Sequence, residues 1–311
     1  MAVLTISAYS NVVLTRDVMS LDSEPIINSS AYGFCSFDND SLVKYREELY
    51  KLFQQINSNA YRICGTILLS REGVNIRLSG VKEAVSLLQE RLRSLHPKLH
   101  SMEFKDSISR RLTLPRFLVK IKKEVIAMGV PELNNLIEHN ATHLEPEEFK
   151  QWVDTKKEMI VLDTRNDYEV RLGGFANAVD LNIKSFRSFP ATAKIWLKSV
   201  PKEKPIVMYC TGGVRCEKAS CVLLNEGFTK VYQLDGGILK YFEKVGASHF
   251  DGNCYVFDDR VAVGPNLVER DITSCFICRS PLTKADRATA EYVFEKHCPY
   301  CIQGKTDFRH A

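Results

Sequence analysis

One cysteine in this chain lies where a strand passes into a glycine-rich turn. Cys210 follows the apolar run Ile206–Tyr209, which is typical of a buried parallel strand, and helical spacing of apolar residues begins soon afterwards. In such a turn, backbone N–H groups and the positive end of the helix converge on the thiol. These surroundings bind anions, or stabilise a thiolate well below the free pKa of roughly 8.5. The pattern predicts that Cys210 is a nucleophile in an anion-binding loop of Thr211, Gly212, Gly213, Val214 and Arg215.

A second thiol follows at the start of the helix. Cys216 lies six residues after Cys210. Its position fits an ordinary cysteine on a helix face. It also fits a resolving thiol, which would react with a persulfide or a sulfenic acid formed on Cys210. Both hypotheses are compatible with the spacing.

Four more cysteines form two close pairs near the end of the chain. The pairs are Cys275-x-x-Cys278 and Cys298-x-x-Cys301, with nineteen residues between them. This spacing predicts a tetrahedral zinc site with four thiolate ligands. The metal would supply folding energy to a tail that is too short to hold a core alone. Free thiols and a redox-active pair are the alternatives.

The composition is that of a globular protein with two or three domains. The chain has 311 residues, of which 45% are hydrophobic and 26% are charged. The net charge is only +4, so a nucleic acid would have to be bound by a local basic patch. No apolar run reaches the ~18 residues of a membrane span, and residues 1–19 lack the pattern of a signal peptide. We therefore expect a cytoplasmic protein whose ten cysteines stay reduced.

The elements that position these residues follow two patterns. From residue 29 the order is strand, helix, strand, strand, helix, strand, with strands predicted at 31–37, 63–69, 74–78 and 102–108. Asp40 or Ser41 would cap the first helix. This order indicates a ferredoxin-like βαββαβ domain of the α+β class. After residue 141, short buried strands alternate with helices, which predicts an α/β domain with a doubly wound parallel sheet. Ligands of such sheets bind at the carboxyl ends of the strands, where Cys210 lies.

A basic stretch lies between these two domains. Residues 105–123 include seven lysines and arginines. The stretch fits a solvated strand edge that lysines protect from pairing. It also fits a strip that contacts RNA phosphates, in which case the affinity would fall steeply with salt. The candidates for RNA contact are Arg110, Arg111, Arg116, Lys120, Lys122 and Lys123.

The central domain resembles the rhodanese family. Its Cys-x-x-Gly-x-Arg loop resembles the rhodanese active-site loop in the six-residue form that suits a persulfide sulfur, whereas related phosphatases use a longer loop. The segment Asp163-x-Arg165-x-x-x-Glu169 resembles a rhodanese pattern, which implies that Asp163 and Arg165 support the site structurally. Gly174 occupies the position where that family usually has a histidine. The role of that histidine in shaping the site is therefore not carried over to this chain.

From about residue 29 onward, the chain is similar to the tRNA uridine(34) hydroxylase family. The most specific segments are CTGGVRCEKAS at 210–220 and VFDDRVAV at 256–263. The resemblance implies a bacterial, cytoplasmic oxidoreductase of tRNA processing, which converts the wobble uridine of tRNA to 5-hydroxyuridine with molecular oxygen as co-substrate. Its partner would be tRNA, and neither DNA nor a membrane. No flavin, NAD or haem fingerprint is evident in the sequence.

A mechanism follows from combining this resemblance with a nucleophilic cysteine. The Cys210 thiolate would add to C6 of the uracil ring, oxygen would be trapped at C5, and elimination would free the enzyme. Two other functions remain as alternatives. One is a sulfurtransferase that carries sulfur as a Cys210 persulfide, from thiosulfate or for tRNA thiolation. The other is a non-catalytic adaptor that binds RNA or protein, although an adaptor would not need both Cys210 and Arg215.

These arguments divide the chain into five parts. We predict a leader of unknown structure (1–28), a ferredoxin-like, acylphosphatase-like domain (29–112) and a basic strand with a linker (113–140). A rhodanese domain (141–247) and a cysteine-rich, zinc-binding segment (248–311) complete the chain.

Overall fold

The computed structural model describes residues 24–59, 61–130 and 141–302. Most of the predicted leader (1–23) and the last part of the predicted linker (131–140) therefore lie outside the described residues. Within the described ranges, no helix has both the length and the apolar character that crossing a membrane requires.

The N-terminal domain consists of two helices packed against a five-stranded sheet. Its elements are β1 (Ile26–Phe34), α1 (Asn39–Ser58), β2 (Ile63–Ser70), β3 (Gly73–Gly80), α2 (Lys82–Arg93), β4 (Lys105–Ser109) and β5 (Phe117–Ile121). The strand order is β4-β1-β3-β2-β5, and the first four strands are antiparallel neighbours. Leu49 of α1 and Leu88 of α2 are fully buried in the core that the helices share with the sheet. The predicted ferredoxin-like fold is confirmed.

The first strand begins five residues earlier than the predicted 31–37, because hydrogen bonds satisfy its polar residues. Asn28 and Ser29 are both buried. The Asn28 amide oxygen accepts hydrogen bonds from Ser79 Oγ at 2.9 Å and from Thr113 Oγ1 at 2.6 Å. A buried polar side chain is tolerated when it is bonded in this way. Residues 26–28, assigned above to the leader, therefore belong to the sheet.

Two further details of this domain differ from the sequence expectation. Asp38, and not Asp40 or Ser41, caps α1, because its carboxylate accepts the Ser41 N–H at 2.7 Å. The strand β5, expected in a separate basic segment, pairs in parallel with β2 and forms an edge of the sheet. Its Lys120 is exposed, as is typical of a strand edge protected by lysine.

The central domain alternates strands and helices. Its elements are β6 (Thr142–Leu144), α3 (Pro146–Asp154), β7 (Ile160–Asp163), α4 (Asp167–Val170), β8 (Gly173–Phe175), β9 (Val179–Asp180), α5 (Phe189–Leu197), β10 (Ile206–Tyr209), α6 (Val214–Asn225), β11 (Val231–Leu234) and α7 (Gly237–Lys244). The main sheet is parallel, with the order β6-β11-β10-β7-β9. Ile206 and Met208 of β10 enter one apolar core, and Val207 and Tyr209 enter another. Helices therefore cover both faces, which confirms the doubly wound sheet.

The cysteine-rich segment extends from this domain as three short antiparallel pairs. β12 (Phe250–Gly252) pairs with β8, β13 (Cys254–Tyr255) with β14 (Ala262–Val263), and β15 (Thr273–Ser274) with β16 (Pro281–Leu282), before the short helix α8 (Lys284–Arg287). The segment contacts both domains. The Phe257 carbonyl accepts a hydrogen bond from Arg77 of the N-terminal sheet at 2.8 Å, and the Tyr255 carbonyl accepts one from the Thr211 hydroxyl at 3.3 Å.

A buried ion network joins the two domains. The ammonium of Lys218, on α6, is fully buried and lies 2.8 Å from carboxylate oxygens of both Glu72 and Glu124. Glu124 also accepts the N–H groups of Met128 and Gly129. Removing these charges from water is costly, and their mutual pairing offsets that cost. The network therefore fixes the helix that follows Cys210 against the N-terminal domain.

Replacing Lys218 by methionine should lower the free energy of unfolding by about 3–5 kcal/mol, because two largely buried carboxylates lose their cationic partner. Denaturant unfolding of the full chain measures this loss. Lys198, exposed at the end of α5, is the matched control, and Lys198→Met should change stability by no more than about 0.5 kcal/mol. Equal stability of the two variants would show that the network does not hold the domains together.

Candidate active site

Cys210 lies at the carboxyl end of β10, in the loop that leads into α6. The N–H of Gly213 donates a hydrogen bond to the Cys210 sulfur at 3.1 Å. On the other side of the loop, the N–H groups of Ile238 and Leu239 donate to the carbonyl oxygens of Cys210 and Thr211 at 3.0 and 3.1 Å. Backbone hydrogen bonds from two directions therefore hold the thiol and its loop in a fixed position.

Gly213 is needed at its position for two reasons. Its φ of 99° lies in the left-handed region that favours glycine. A Cβ atom at this position would also lie 2.7 Å from the hydroxyl of Tyr32, which belongs to β1. That hydroxyl donates a hydrogen bond to Glu217 on α6 at 3.0 Å. The N-terminal domain therefore touches the loop directly. A Cβ on Gly212, in contrast, would have no described atom within 4 Å.

The guanidinium of Arg215, a residue of the predicted anion-binding loop, is paired with the carboxylate of Glu169. Its Nη1 and Nη2 atoms donate to the two carboxylate oxygens of Glu169 at 2.6 and 2.7 Å, and both side chains are buried. The Thr211 hydroxyl donates to the same carboxylate at 3.2 Å. Glu169 was not among the predicted site residues, although it ends the Asp163-x-Arg165-x-x-x-Glu169 pattern.

Asp163 and Arg165 form a second buried pair behind the loop. The Arg165 guanidinium donates to Asp163 at 2.6 Å and to the carbonyl of Gly173 at 2.6 Å. This pair links the end of β7 to β8 and does not line the cavity in front of Cys210. A Cβ on the adjacent Gly174 would lie 3.2 Å from the Tyr209 hydroxyl, so this hydroxyl approaches the backbone where the rhodanese pattern has a histidine.

Electrostatics favour a thiolate at Cys210 and a neutral thiol at Cys216. Burial raises the pKa of Cys210, but a hydrogen bond from Cys216, the charge of Arg215 and the N–H groups of Arg215 and Gly213 lower this pKa below its ordinary value. Burial raises the pKa of Cys216, and the neighbouring Cys210 raises it further. The Cys216 sulfur also lies 3.7 Å from the hydroxyl oxygen of Thr164.

A cavity of about 850 Å³ opens in front of Cys210. Its walls come from the N-terminal sheet, from the Cys210 loop and from residues 255–258, which include the last residue of β13 and the turn after it. Lysine and arginine side chains outnumber aspartate and glutamate side chains in its lining, eight to four. The cavity therefore suits a ligand that is partly apolar and partly anionic, such as a nucleotide.

The structure separates the six predicted RNA-contact residues into two groups. Lys122 and Lys123 are exposed and line the cavity. The other four are exposed but do not line it, and one of them, Arg111, forms an ion pair with Glu269. Of the six candidates, only Lys122 and Lys123 therefore line the cavity in front of Cys210.

Sequence reasoning missed two side chains that the N-terminal sheet brings to the cavity. The ammonium of Lys105, on β4, lies 5.3 Å from the centre of the Tyr32 ring, and both residues line the cavity with Cys210. Burial lowers the pKa of Lys105, although the negative charges of Asp235 and Cys210 act in the opposite direction. Lys105 begins the basic stretch but is not among the six RNA-contact candidates, and no local pattern marks Tyr32. The role of both residues depends on the packing of β1 and β4 against the loop.

The four cysteines of the C-terminal pairs come together as the sequence predicts. The sulfur atoms of Cys275, Cys278, Cys298 and Cys301 all lie within 4.8 Å of one another. The Cys298 sulfur is 3.6 Å from that of Cys278 and 3.7 Å from that of Cys301. Sulfurs at tetrahedral positions about 2.3 Å from a zinc ion would be roughly 3.8 Å apart. The cluster can therefore hold a metal ion.

Cys210 should ionise below the free-cysteine pKa of about 8.5, because a charged guanidinium and two N–H groups stabilise its thiolate. A pH titration of ultraviolet thiolate absorbance, compared between wild type and Cys210→Ser, isolates this thiol. Cys221 on the same helix is the control, since burial raises its pKa to about 11. The difference in absorbance between wild type and Cys221→Ser should show no thiolate in the pH range where Cys210 ionises. A Cys210 midpoint at or above the free value would contradict the prediction.

Comparison with known proteins covers both domains. Residues 26–125 match the family model of the UPF0176 acylphosphatase like domain, and residues 145–244 match that of the rhodanese-like domain. These matches agree with the two folds seen in the structure.

Several curated proteins resemble the chain over nearly its whole length. A protein of Cupriavidus necator is 39% identical, and the match covers 90% of this chain and 98% of that protein. Proteins of Ralstonia nicotianae and Burkholderia cenocepacia are 38% and 36% identical, with 89% of this chain and 96% and 98% of those proteins covered. All three are named tRNA uridine(34) hydroxylase. Because the similarity extends through both domains and the C-terminal segment, this chain belongs to the tRNA uridine(34) hydroxylase family.

Proposed function

We propose that this protein hydroxylates C5 of the wobble uridine, position 34, of tRNA, with molecular oxygen as co-substrate. The observation that carries the proposal is the position of Cys210. Its stabilised thiolate lies at the wall of an interdomain cavity that is large enough for a nucleotide, in a chain whose relatives carry that name. The reaction would take place in the cytoplasm, where tRNA is found.

In this reaction the Cys210 thiolate adds to C6 of the uracil ring. The electron density that develops at C5 and O4 is then available to trap oxygen at C5 as a hydroperoxide, and loss of the C5 proton with elimination of the thiolate restores the ring. Two electrons and two protons from a reductant then cleave the O–O bond, which leaves the C5 hydroxyl and releases water. The Gly213 N–H, which donates to the Cys210 sulfur at 3.1 Å, stabilises the thiolate before addition and after elimination. Lys105 lies in the same cavity and is suited to stabilise negative charge on the base or its phosphate.

The wobble nucleotide has to leave the anticodon stack to reach Cys210, which is only 1% exposed at the cavity wall. Phe257 lines this cavity and is 41% exposed, so its ring is available for stacking on a base. Lys122 and Lys123 at the same cavity are placed to bind the adjoining phosphates. Arg110, Arg116 and Lys120 would contact tRNA further from the site.

A second candidate function is sulfur transfer through a Cys210 persulfide. The observation that favours it is the short loop, which has six residues from Cys210 to Arg215 when the cysteine is counted. The two candidates differ in the atom that the substrate gains, which is oxygen in one case and sulfur in the other.

Nucleoside mass spectrometry of tRNA, incubated with wild type and with Cys210→Ser in air and under nitrogen, tests the proposal. We expect uridine to gain one oxygen only with wild type and only in air. Replacing the nucleophile should reduce the rate by at least about a thousandfold. Full activity of Cys210→Ser would exclude nucleophilic catalysis by Cys210. A gain of sulfur would establish thiolation instead.

We also propose that the four-cysteine cluster binds a structural zinc ion. Cys275, Cys278, Cys298 and Cys301 would supply all four ligands and leave no open position for catalysis. The ion would fix the loop after β15 to the loop around Cys298, and so hold together a segment that has only a small apolar cluster of its own.

Purified wild type should contain about one zinc per chain by elemental analysis, and Cys278→Ser should lose most of it, because three thiolates bind more weakly than four. Cys254→Ser is the matched control, since Cys254 is fully buried but lies outside the cluster. Equal zinc content in the two variants would rule out zinc binding by the cluster.

A further inference from the structure

The proposed hydroxylation, on which this inference rests, has an electron requirement that uridine itself does not meet. Molecular oxygen brings two oxygen atoms, and the product keeps one. Reduction of the other atom to water takes two electrons and two protons. Two thiols release two electrons and two protons when they form a disulfide. Uridine, oxygen and two thiols then yield 5-hydroxyuridine, water and one disulfide, and all atoms and electrons balance.

A second thiol, that of Cys216, lies at the start of α6 and shares the contacts of Gly213 with Cys210. Gly213 connects the two residues, since its N–H donates to the Cys210 sulfur at 3.1 Å and its carbonyl accepts the Cys216 N–H at 2.9 Å. Both side chains belong to the same buried apolar cluster. The 3.7 Å contact with Thr164 helps to hold the Cys216 sulfur in place.

The two thiols differ in their access to substrate. Cys210 lines the interdomain cavity, whereas Cys216 is fully buried and does not line it. A bound nucleotide therefore meets the Cys210 sulfur, and Cys216 reacts with whatever forms on that sulfur. This arrangement is that of a reacting thiol in front of a resolving thiol.

We propose that Cys210 and Cys216 together supply the two electrons of each hydroxylation and end the turnover as a disulfide. Elimination of Cys210 from C6 leaves a hydroperoxide on C5. The freed thiolate attacks the distal peroxide oxygen, and the O–O bond breaks. Its electron pair stays on the oxygen bonded to C5, which takes a proton from solvent. Cys210 is now a sulfenic acid. The Cys216 sulfur attacks the Cys210 sulfur, the S–S bond forms, and hydroxide leaves with the thiol proton as water.

This series of reaction steps requires a reductant that reduces the disulfide between turnovers. A dithiol would attack the Cys210 sulfur, because this half of the disulfide faces the cavity, and would release Cys216 first. The enzyme therefore needs a dithiol as a second substrate, in an amount equal to the product that it forms.

The test uses fully reduced wild-type protein, freed of reductant and mixed with excess tRNA in air. We expect about one 5-hydroxyuridine per chain, after which the reaction stops. Differential alkylation and peptide mapping should then locate a Cys210–Cys216 disulfide, and dithiothreitol should restore turnover. Because this measurement uses the wild type, it does not depend on whether a variant folds.

Matched serine variants of the two α6 cysteines complete the experiment. Cys221, whose thiol donates to the Glu217 carbonyl at 3.3 Å, is buried one turn beyond the site, and Cys221→Ser should behave as wild type. Cys216→Ser should form no disulfide and should accumulate a Cys210 sulfenic acid that dimedone traps. A purely structural role of Cys216 would not produce this trapped species.

Two results would overturn the proposal while leaving the hydroxylase function intact. One is product from wild type with no loss of the Cys210 and Cys216 thiols. The other is repeated turnover without added dithiol. If wild type forms no 5-hydroxyuridine at all, the proposed function fails and this inference fails with it, so the two failures are distinguishable.

Discussion

Holding a thiolate inside a protein requires that its charge be balanced by groups that cannot move away. At Cys210 this balance comes from the N–H groups of Gly213 and Arg215, from the guanidinium of Arg215 and from the Cys216 thiol. Arg215 is held by Glu169 through two short hydrogen bonds, so its position is fixed while its charge remains close. The backbone course of the loop, the positive φ of Gly213 and the start of α6 all follow from this requirement.

The N-terminal domain is part of the site and not an appended module. Tyr32 packs on Gly213 and donates to Glu217, and the buried Lys218 pairs with Glu72 and Glu124 of the other domain. These contacts all involve α6 or the loop before it, so the element that presents Cys210 also carries the domain interface. The cavity exists only because the two domains and the segment after β13 meet at this point. A rhodanese domain alone would leave Cys210 without the wall that Tyr32 and Lys105 provide.

Because Arg215 is paired with Glu169, the cations of the site fall into two groups, one paired inside the protein and one lining the cavity. The charge closest to the sulfur is paired within the protein, whereas other cations, such as Lys105, Lys122 and Lys123, line the cavity. The two thiols are divided in the same way, since one faces the cavity and the other lies behind it. An enzyme that needs a nucleophile, a binding site for an anionic polymer and a source of electrons can keep these functions apart by burial alone.

The sequence by itself determined the features that depend on neighbours along the chain. These are both folds, the loop around Cys210 and the cysteine pairs, because hydrophobic period, turn residues and short spacings are local signals. Where buried polar groups find partners far along the chain, local signals fail. Asn28 extends β1 by bonding to Ser79 and Thr113, and Arg215 meets Glu169. Only the tertiary structure decided that Tyr32 and Lys105 line the cavity with Cys210, because packing between domains depends on surfaces assembled from distant segments.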